Sequence, residues 1–246
     1  MTDTVTPLLP RGPRVSNTEE VYTRLREMLL NGEIPPGTVL SQVKLARQLG
    51  VSTTPLREAM RLVQAEGLLI AEHNQRSRVA PMDPKDIDAV YASRILMEAL
   101  AIRLTVPALT AADDDALRAD LHAMEDAARA QDISTWEPLH RTFHRRLING
   151  SDPALTRIID PLVDRCERYR RTSLFGSPAR AWELGNKEHE AIVAACEARD
   201  ANQAALLLAR HFGRSALTVL AIIAPEENPE AVRSALHLVS RATERP

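Results

Sequence analysis

The sequence predicts a mainly α-helical protein. An N-terminal winged helix-turn-helix with a small β-hairpin wing should precede an all-α bundle of six or seven helices. Three observations carry that prediction. Hydrophobic residues make up 44% of the 246 residues, yet aromatics only 3%, so the apolar content is aliphatic and small, which suits packed helices. Apolar positions recur at helical spacing along most of the chain. The breaks between those stretches carry Pro, Gly or Asx and Ser chemistry.

Three segments follow from these patterns: a loose tail over 1–15, a compact module over 16–82 and a helical part over 83–246. The tail "MTDTVTPLLPRGPRV" is rich in Pro and Thr and has no signal-peptide core. In the module, "SNTEEVYTRLREMLLNG" reads as a helix. Ser16 with Glu19 fits a capping box, Val21, Leu25, Met28 and Leu29 form one stripe, and Gly32 follows the end. "IPPGTVL" reads as a Pro-Gly turn. "SQVKLARQLG" is a short helix with Ser41 as cap and Gly50 as stop. "VSTTPLREAMRLVQAEG" is a third helix. Ser52 to Thr54 offer capping hydroxyls, Pro55 sits in the tolerated first turn, and Leu56, Ala59, Met60 and Val63 face inward. "LLIAE" and "SRVAP" flank the polar "HNQR" and read as the hairpin.

Beyond residue 82, helices are expected near 84–108, 112–130, 134–149, 153–174, 178–199, 201–223 and 229–242. Short links between them make an antiparallel bundle.

Charge and composition bound the function. The net charge is -2, so no global basic signature marks a nucleic-acid binder. The first 82 residues hold 10 Lys and Arg against 8 Asp and Glu, and the remainder holds 21 against 25. That asymmetry has the sign expected of a DNA-binding N-terminus. Two cysteines, Cys166 and Cys196, make no disulfide framework and point to a reducing cytoplasm. No uninterrupted apolar run approaches the roughly 20 residues of a membrane span. Neither a G-x-S-x-G, a P-loop nor a dinucleotide fingerprint is present, so no catalytic motif supports an enzyme.

Four of the 7 histidines raise a separate question. His140 and His144, in "LHRTFHRRL", stand four apart and share one helix face. Two imidazoles so spaced clamp one metal ion, or merely occupy a solvated face. Glu137 and His140 also spell the E-x-x-H of diiron bundles, but Asn186 stands where the second motif before His189 would need Glu.

The order helix, turn, two close helices and hairpin resembles the DNA-binding module of the GntR family of bacterial transcription regulators. The resemblance runs from Val21 to Met82 through "VYTRLREMLLNGEIPPGTVLSQVKLARQLGVS" and "TPLREAMRLVQAEGLL". "AVYASRILMEALAIRL" and "KEHEAIVAACEARDANQAALLLARHF" resemble the effector-binding, dimerising domain of the FadR-like (FCD) branch.

A recognition helix enters the major groove N-terminus first. Here its first turns present Ser52, Thr53, Thr54, Arg57 and Arg61. Arg57 has the planar fork that bridges O6 and N7 of guanine. Ser52 and Thr54 suit phosphates at a helix N-terminus, or simply cap it. Thr53 stands where the family commonly has Arg, so the family's operator does not transfer. Arg76 and Arg78 in the wing are placed to follow phosphates or enter a minor groove.

The resemblance also implies a metal site. His144, His189 and His211 match three family ligands, and His140 stands where relatives keep Asp. Four neutral imidazoles favour Zn, Ni or Cu-like ions over Mg or Ca. A metal-free pocket in which histidines bond the effector directly is the other reading. Arg94 matches a pocket arginine suited to a carboxylate, or forms a surface pair with Glu98. Arg165, Arg168 and Asn186 are further pocket candidates.

The whole implies a cytoplasmic regulator, usually a repressor in this family. It would be a homodimer on a palindromic double-stranded DNA site, released by a small carboxylate effector bound near a Zn or Ni ion. Two rivals stand beside it: a metal-dependent enzyme in the bundle, and a DNA-binding protein with a vestigial pocket.

Overall fold

The computed structural model describes residues 17–30, 32–72, 76–174 and 178–243. The expected tail, Ser16 and the wing-tip residues Asn74 and Gln75 lie outside them. The chain divides into two compact units, Met1–Met82 and Asp83–Pro246.

In the first unit, α1 (Thr18–Leu30) starts behind Asn17, whose Oδ1 accepts from the Glu19 N–H at 2.9 Å. Strand β1 (Val39–Ser41), α2 (Gln42–Leu49), α3 (Thr53–Ala65), β2 (Leu69–Glu72) and β3 (Arg76–Val79) follow. Val21, Leu25, Leu45, Leu49, Leu56, Met60 and Val63 close one core between the three helices. Gly50 ends α2 at φ 70, a left-handed turn that a Cβ would strain, and so sets the sharp corner between α2 and α3. Tyr22 and Arg26 of α1 both bond Glu66, at 2.5 and 2.8 Å, and tie α1 to the end of α3.

The expected hairpin is present as β2 and β3, paired antiparallel, and a further strand joins it. The wing is thus a three-stranded antiparallel sheet in the order β1-β3-β2. Val39, Leu40 and Ser41 pair with Arg78, Ser77 and Arg76. After the turn at Gly37 (φ 80), the chain is extended long enough to add a third strand before α2 begins. A strand of three residues is too short to show alternation in a sequence.

The second unit holds seven helices among the described residues: α4 (Pro84–Thr105), α5 (Ala111–Arg129), α6 (Ile133–Ile148), α7 (Pro153–Leu174), α8 (Pro178–Glu197), α9 (Ala201–Ile223) and α10 (Glu230–Thr243). A short 3-10 turn, Val106–Ala108, extends α4. Helix α4 is the spine: it packs chiefly on α9, then on α10 and α7. The other principal pairs are α5 with α6, α8 with α9 and α9 with α10. Tyr91, Tyr169, Phe143 and Phe212 are the bulkiest fully enclosed side chains. Gly213 lets α10 approach α9, since a Cβ there would lie 2.8 Å from Leu236 Cδ1. In composition and length α9 resembles a membrane span, but it lies in the bundle with Ala204, Leu208, Phe212 and Val219 buried.

The helix starts share one grammar. Thr110 and Asp113 form a reciprocal capping box before α5. Before α6, Gln131 turns left-handed at φ 55 and Asp132 then accepts from the Thr135 N–H at 3.1 Å. Before α9, Arg199 turns at φ 57 and Asp200 accepts from the Gln203 N–H at 2.9 Å. The first turns of α4 are anchored twice more. Asp86 bonds Arg165 and, at 2.5 Å, Tyr169 Oη on α7. Asp88 accepts from the Ala231 and Val232 N–H groups, both at 2.9 Å, at the start of α10.

Candidate metal centre and DNA-reading helix

Four buried histidines converge in the bundle from three helices. Asp132 starts α6 so that His140 and His144 point the same way. α8 brings His189 and α9 brings His211. Their exposures are 6%, 3%, 1% and 4%. One ring nitrogen from each lies within 4.8 Å of the others. His140 Nε2 and His144 Nε2 stand 3.1 Å apart, close to the edge of a tetrahedral site, about 3.3 Å for metal–nitrogen bonds of about 2.05 Å. The remaining described histidines, His122 and His237, are exposed.

Burial, then the neighbouring histidines and the Arg170 and Arg94 guanidiniums, hold His140 and His144 well below the ordinary imidazole range. His189 is lowered in the same way by burial, then by His211, Arg214 and Arg170. His211 is lowered by burial against the opposing pull of Glu188. Neutral imidazoles keep the lone pairs that metal coordination needs.

Orphaned nitrogens support a ligand here. His144 Nδ1 and both ring nitrogens of His189 are buried without a hydrogen-bond partner. An enclosed polar atom without a partner is costly, and an ion bound by these rings would relieve the coordinating ones. The donor set of four nitrogens fits a tetrahedral ion of the zinc type.

The sequence did not point to the side chains that orient the rings. Glu188 accepts from His211 Nδ1 at 2.7 Å and from Arg214 Nε and Nη2 at 2.5 and 2.6 Å. With Nδ1–H bonded to a carboxylate, His211 Nε2 is left as the donor lone pair. Trp136 stacks on His140 with ring centroids 4.4 Å apart. Phe143 and Phe212 wall the cluster, each with centroids 5.3 Å or less from two of the histidines. Only helix packing brings α8 against α9, so the 23-residue separation of Glu188 and His211 shows nothing by periodicity.

Arg94 reaches Glu98 at 2.5 Å, but the pair is inside the bundle, not on its surface, with side chains 7% and 0% exposed. Its guanidinium also lies 3.9 Å over the Phe212 ring, beside the histidines. Burial raises the Glu98 carboxyl, against the pull of Arg94. Arg170, absent from the sequence-based candidates, forms a two-pronged pair with Glu137, one contact at 2.8 Å, and lies 5.1 Å over Trp136. Arg170 therefore occupies the Glu137 carboxylate, which removes it as a diiron-type ligand. Arg165 is bonded to Asp86 at the base of α4. Arg168 is buried with its guanidinium 5.0 Å over Tyr169. Asn186 is half-buried on α8, three residues before His189. Cys166 and Cys196 are free and buried, and burial pushes the Cys166 thiol up to about 11.

In the first unit, Ser52 occupies the N-cap of α3 with an extended backbone, but its hydroxyl makes no cap bond, and neither does that of Ser41 at α2. Capping alone therefore does not account for Ser52. Ser52, Thr53, Thr54, Arg57 and Arg61 are all exposed. Arg57 and Arg61 make only loose pairs with Glu58, at 3.7 and 3.5 Å. Arg76 is exposed at the start of β3. Arg78 is differently placed: its guanidinium bonds Glu72 at 2.6 Å and the Gly37 carbonyl at 2.8 Å, and so braces the sheet.

A winged helix-turn-helix unit and an all-helical unit define a class, the two-domain DNA-binding regulators. Comparison with known proteins makes the assignment specific. Residues 17–79 match the bacterial regulatory proteins of the gntR family, and residues 89–214 match the FCD domain. The chain belongs to the GntR family, in its FCD-containing branch, and is a transcription regulator rather than an enzyme. It is 30% identical over 205 residues to BphR, an uncharacterised HTH-type regulator of Paraburkholderia xenovorans, covering 80% of this chain and 82% of that one. It is 27% identical over 202 residues to the transcriptional repressor GlaR of Escherichia coli, covering 78% and 90%. The match to YdhC of Bacillus subtilis, 32% identical, spans 54% of this chain and 59% of that relative. Among solved structures, E. coli McbR/YncC superimposes with a TM-score of 0.71 at 26% identity, covering 83% of this chain and 97% of that one.

Proposed function

We propose that the protein is a repressor whose hold on DNA is set by a small carboxylate bound at a metal in the bundle. His140, His144, His189 and His211 hold one zinc or nickel ion, and the effector joins it beside Arg94 as a fifth ligand that expands the tetrahedral set. Two copies pair and place their α3 helices on a palindromic operator, with Arg57 on base edges and Ser52, Thr54, Arg61 and Arg76 on or near phosphates. Arg78 supports the wing. Binding of effector shifts the population toward an arrangement with weaker operator affinity. Repression is carried over from the relative named as a repressor.

The observation that carries this reading is His189, buried with neither ring nitrogen bonded, inside a cluster of four neutral imidazoles. Elemental analysis of untagged protein tests it. About one zinc or nickel per chain is expected; protein that stays metal-free after incubation with either ion overturns it. The 3.1 Å contact between His140 and His144 favours a second reading, a metal-free pocket in which one ring donates to the other. The same measurement separates the two.

A further inference from the structure

The charges around the histidine cluster cancel pair by pair. Arg94 is matched by Glu98 at 2.5 Å. Arg170 is matched by Glu137 through both carboxylate oxygens. Arg214 is matched by Glu188 at 2.5 and 2.6 Å. Each of these arginines lies close enough to act on two or more of the four rings. The rings are neutral and none of the four ligands is a carboxylate. Among the described residues, these pairs and rings contribute no net charge to set against an ion.

A divalent ion held there carries two positive charges into an enclosure lined by Phe143, Phe212 and Trp136. Low-dielectric surroundings make an unbalanced buried charge costly and its attraction for an anion strong. A monoanion leaves one charge over; a dianion leaves none. Resting on the metal reading, we infer that the effector of this site is a small dianion, such as a dicarboxylate, and that His140 sets that requirement. A carboxylate at position 140 would supply one negative charge from the protein and lower the demand on the ligand by one.

The test uses untagged full-length protein loaded with one equivalent of zinc, with zinc content measured in every sample. Isothermal titration compares succinate with butyrate and malonate with propionate at neutral pH; inorganic phosphate is a separate arm. At least one dicarboxylate is expected to bind about tenfold or more tightly than its monocarboxylate partner. Binding of phosphate in place of the dicarboxylates supports the charge argument and assigns the phosphate class. A full zinc complement with each pair matched within about threefold, and no phosphate binding, overturns it. His140→Asp that retains zinc should lose most of the dianion preference; an unchanged preference overturns the role of His140. Equal succinate binding after chelator treatment overturns the metal reading instead, and the zinc measurement identifies that case.

Discussion

At the start of α3, Ser52, Thr53, Thr54, Arg57 and Arg61 stand in solvent, while His140, His144, His189 and His211 in the bundle are each at most 6% exposed. The exposed set has few partners within its own unit, so its side chains remain available to an outside one. The enclosed set is wedged among aromatic rings and ion pairs, so its chemistry and the folding of its unit are linked. Substitution should therefore separate function from stability in the first unit and join them in the second.

Acid should sharpen that contrast most. His140, His144 and His189 lie well below the usual value of 6.5 because they are buried. As pH falls, the unfolded chain takes up these protons before the folded one does. Their stabilisation is present above about 6.5 and is lost as pH falls through the lowered native values. Each imidazole steepens the loss by up to about 1.4 kcal/mol per pH unit. Urea denaturation of chelator-treated protein at about pH 8 and about pH 5.5 measures it. A flat profile over that range would break the comparison.

Next in size is Arg94→Ala, which strands the buried Glu98 carboxylate. It should cost about 3–5 kcal/mol of stability, read by denaturation midpoint. Glu188→Gln leaves the bundle folded but loosens the His211 ring; zinc affinity should fall roughly 10–100-fold in a chelator competition. Arg57→Ala should weaken operator binding by about 1–3 kcal/mol in a gel-shift titration. The smallest effect belongs to the same variant, whose stability should stay within about 0.5 kcal/mol of the parent. A large stability loss at Arg57 would show that α3 is not free to serve DNA alone.

The sequence showed the helices well and their cross-connections poorly. Caps, prolines and apolar spacing marked α4 to α10 because these signals act within a few residues. The three residues of β1 carry too little pattern to register. Among site residues, the i, i+4 pair on α6 shows in the sequence because helix geometry places both rings on one face. Arg94 and Glu98 show in the sequence as a pair, but whether that pair is buried depends on which side of α4 meets α9. Glu188 and Arg170 became visible only when helices distant in sequence were brought together, whereas Trp136 lies one turn before His140 on α6, within reach of the same i, i+4 spacing.

The turns that open α6 and α9 carry a consequence for how the site keeps its register. Asp132 and Asp200 each follow a left-handed residue and start a helix, so the rings on α6 and α9 are counted from an aspartate. His140 and His144 fall at fixed counts from the first, His211 from the second. Each residue advances a helix by about 100°. A single residue deleted between Asp132 and His140 would swing both rings about a quarter turn away from the cluster. The same deletion upstream of Gln131 would fall in α5 or its C-cap Ala130 and leave the count from Asp132 to both rings unchanged.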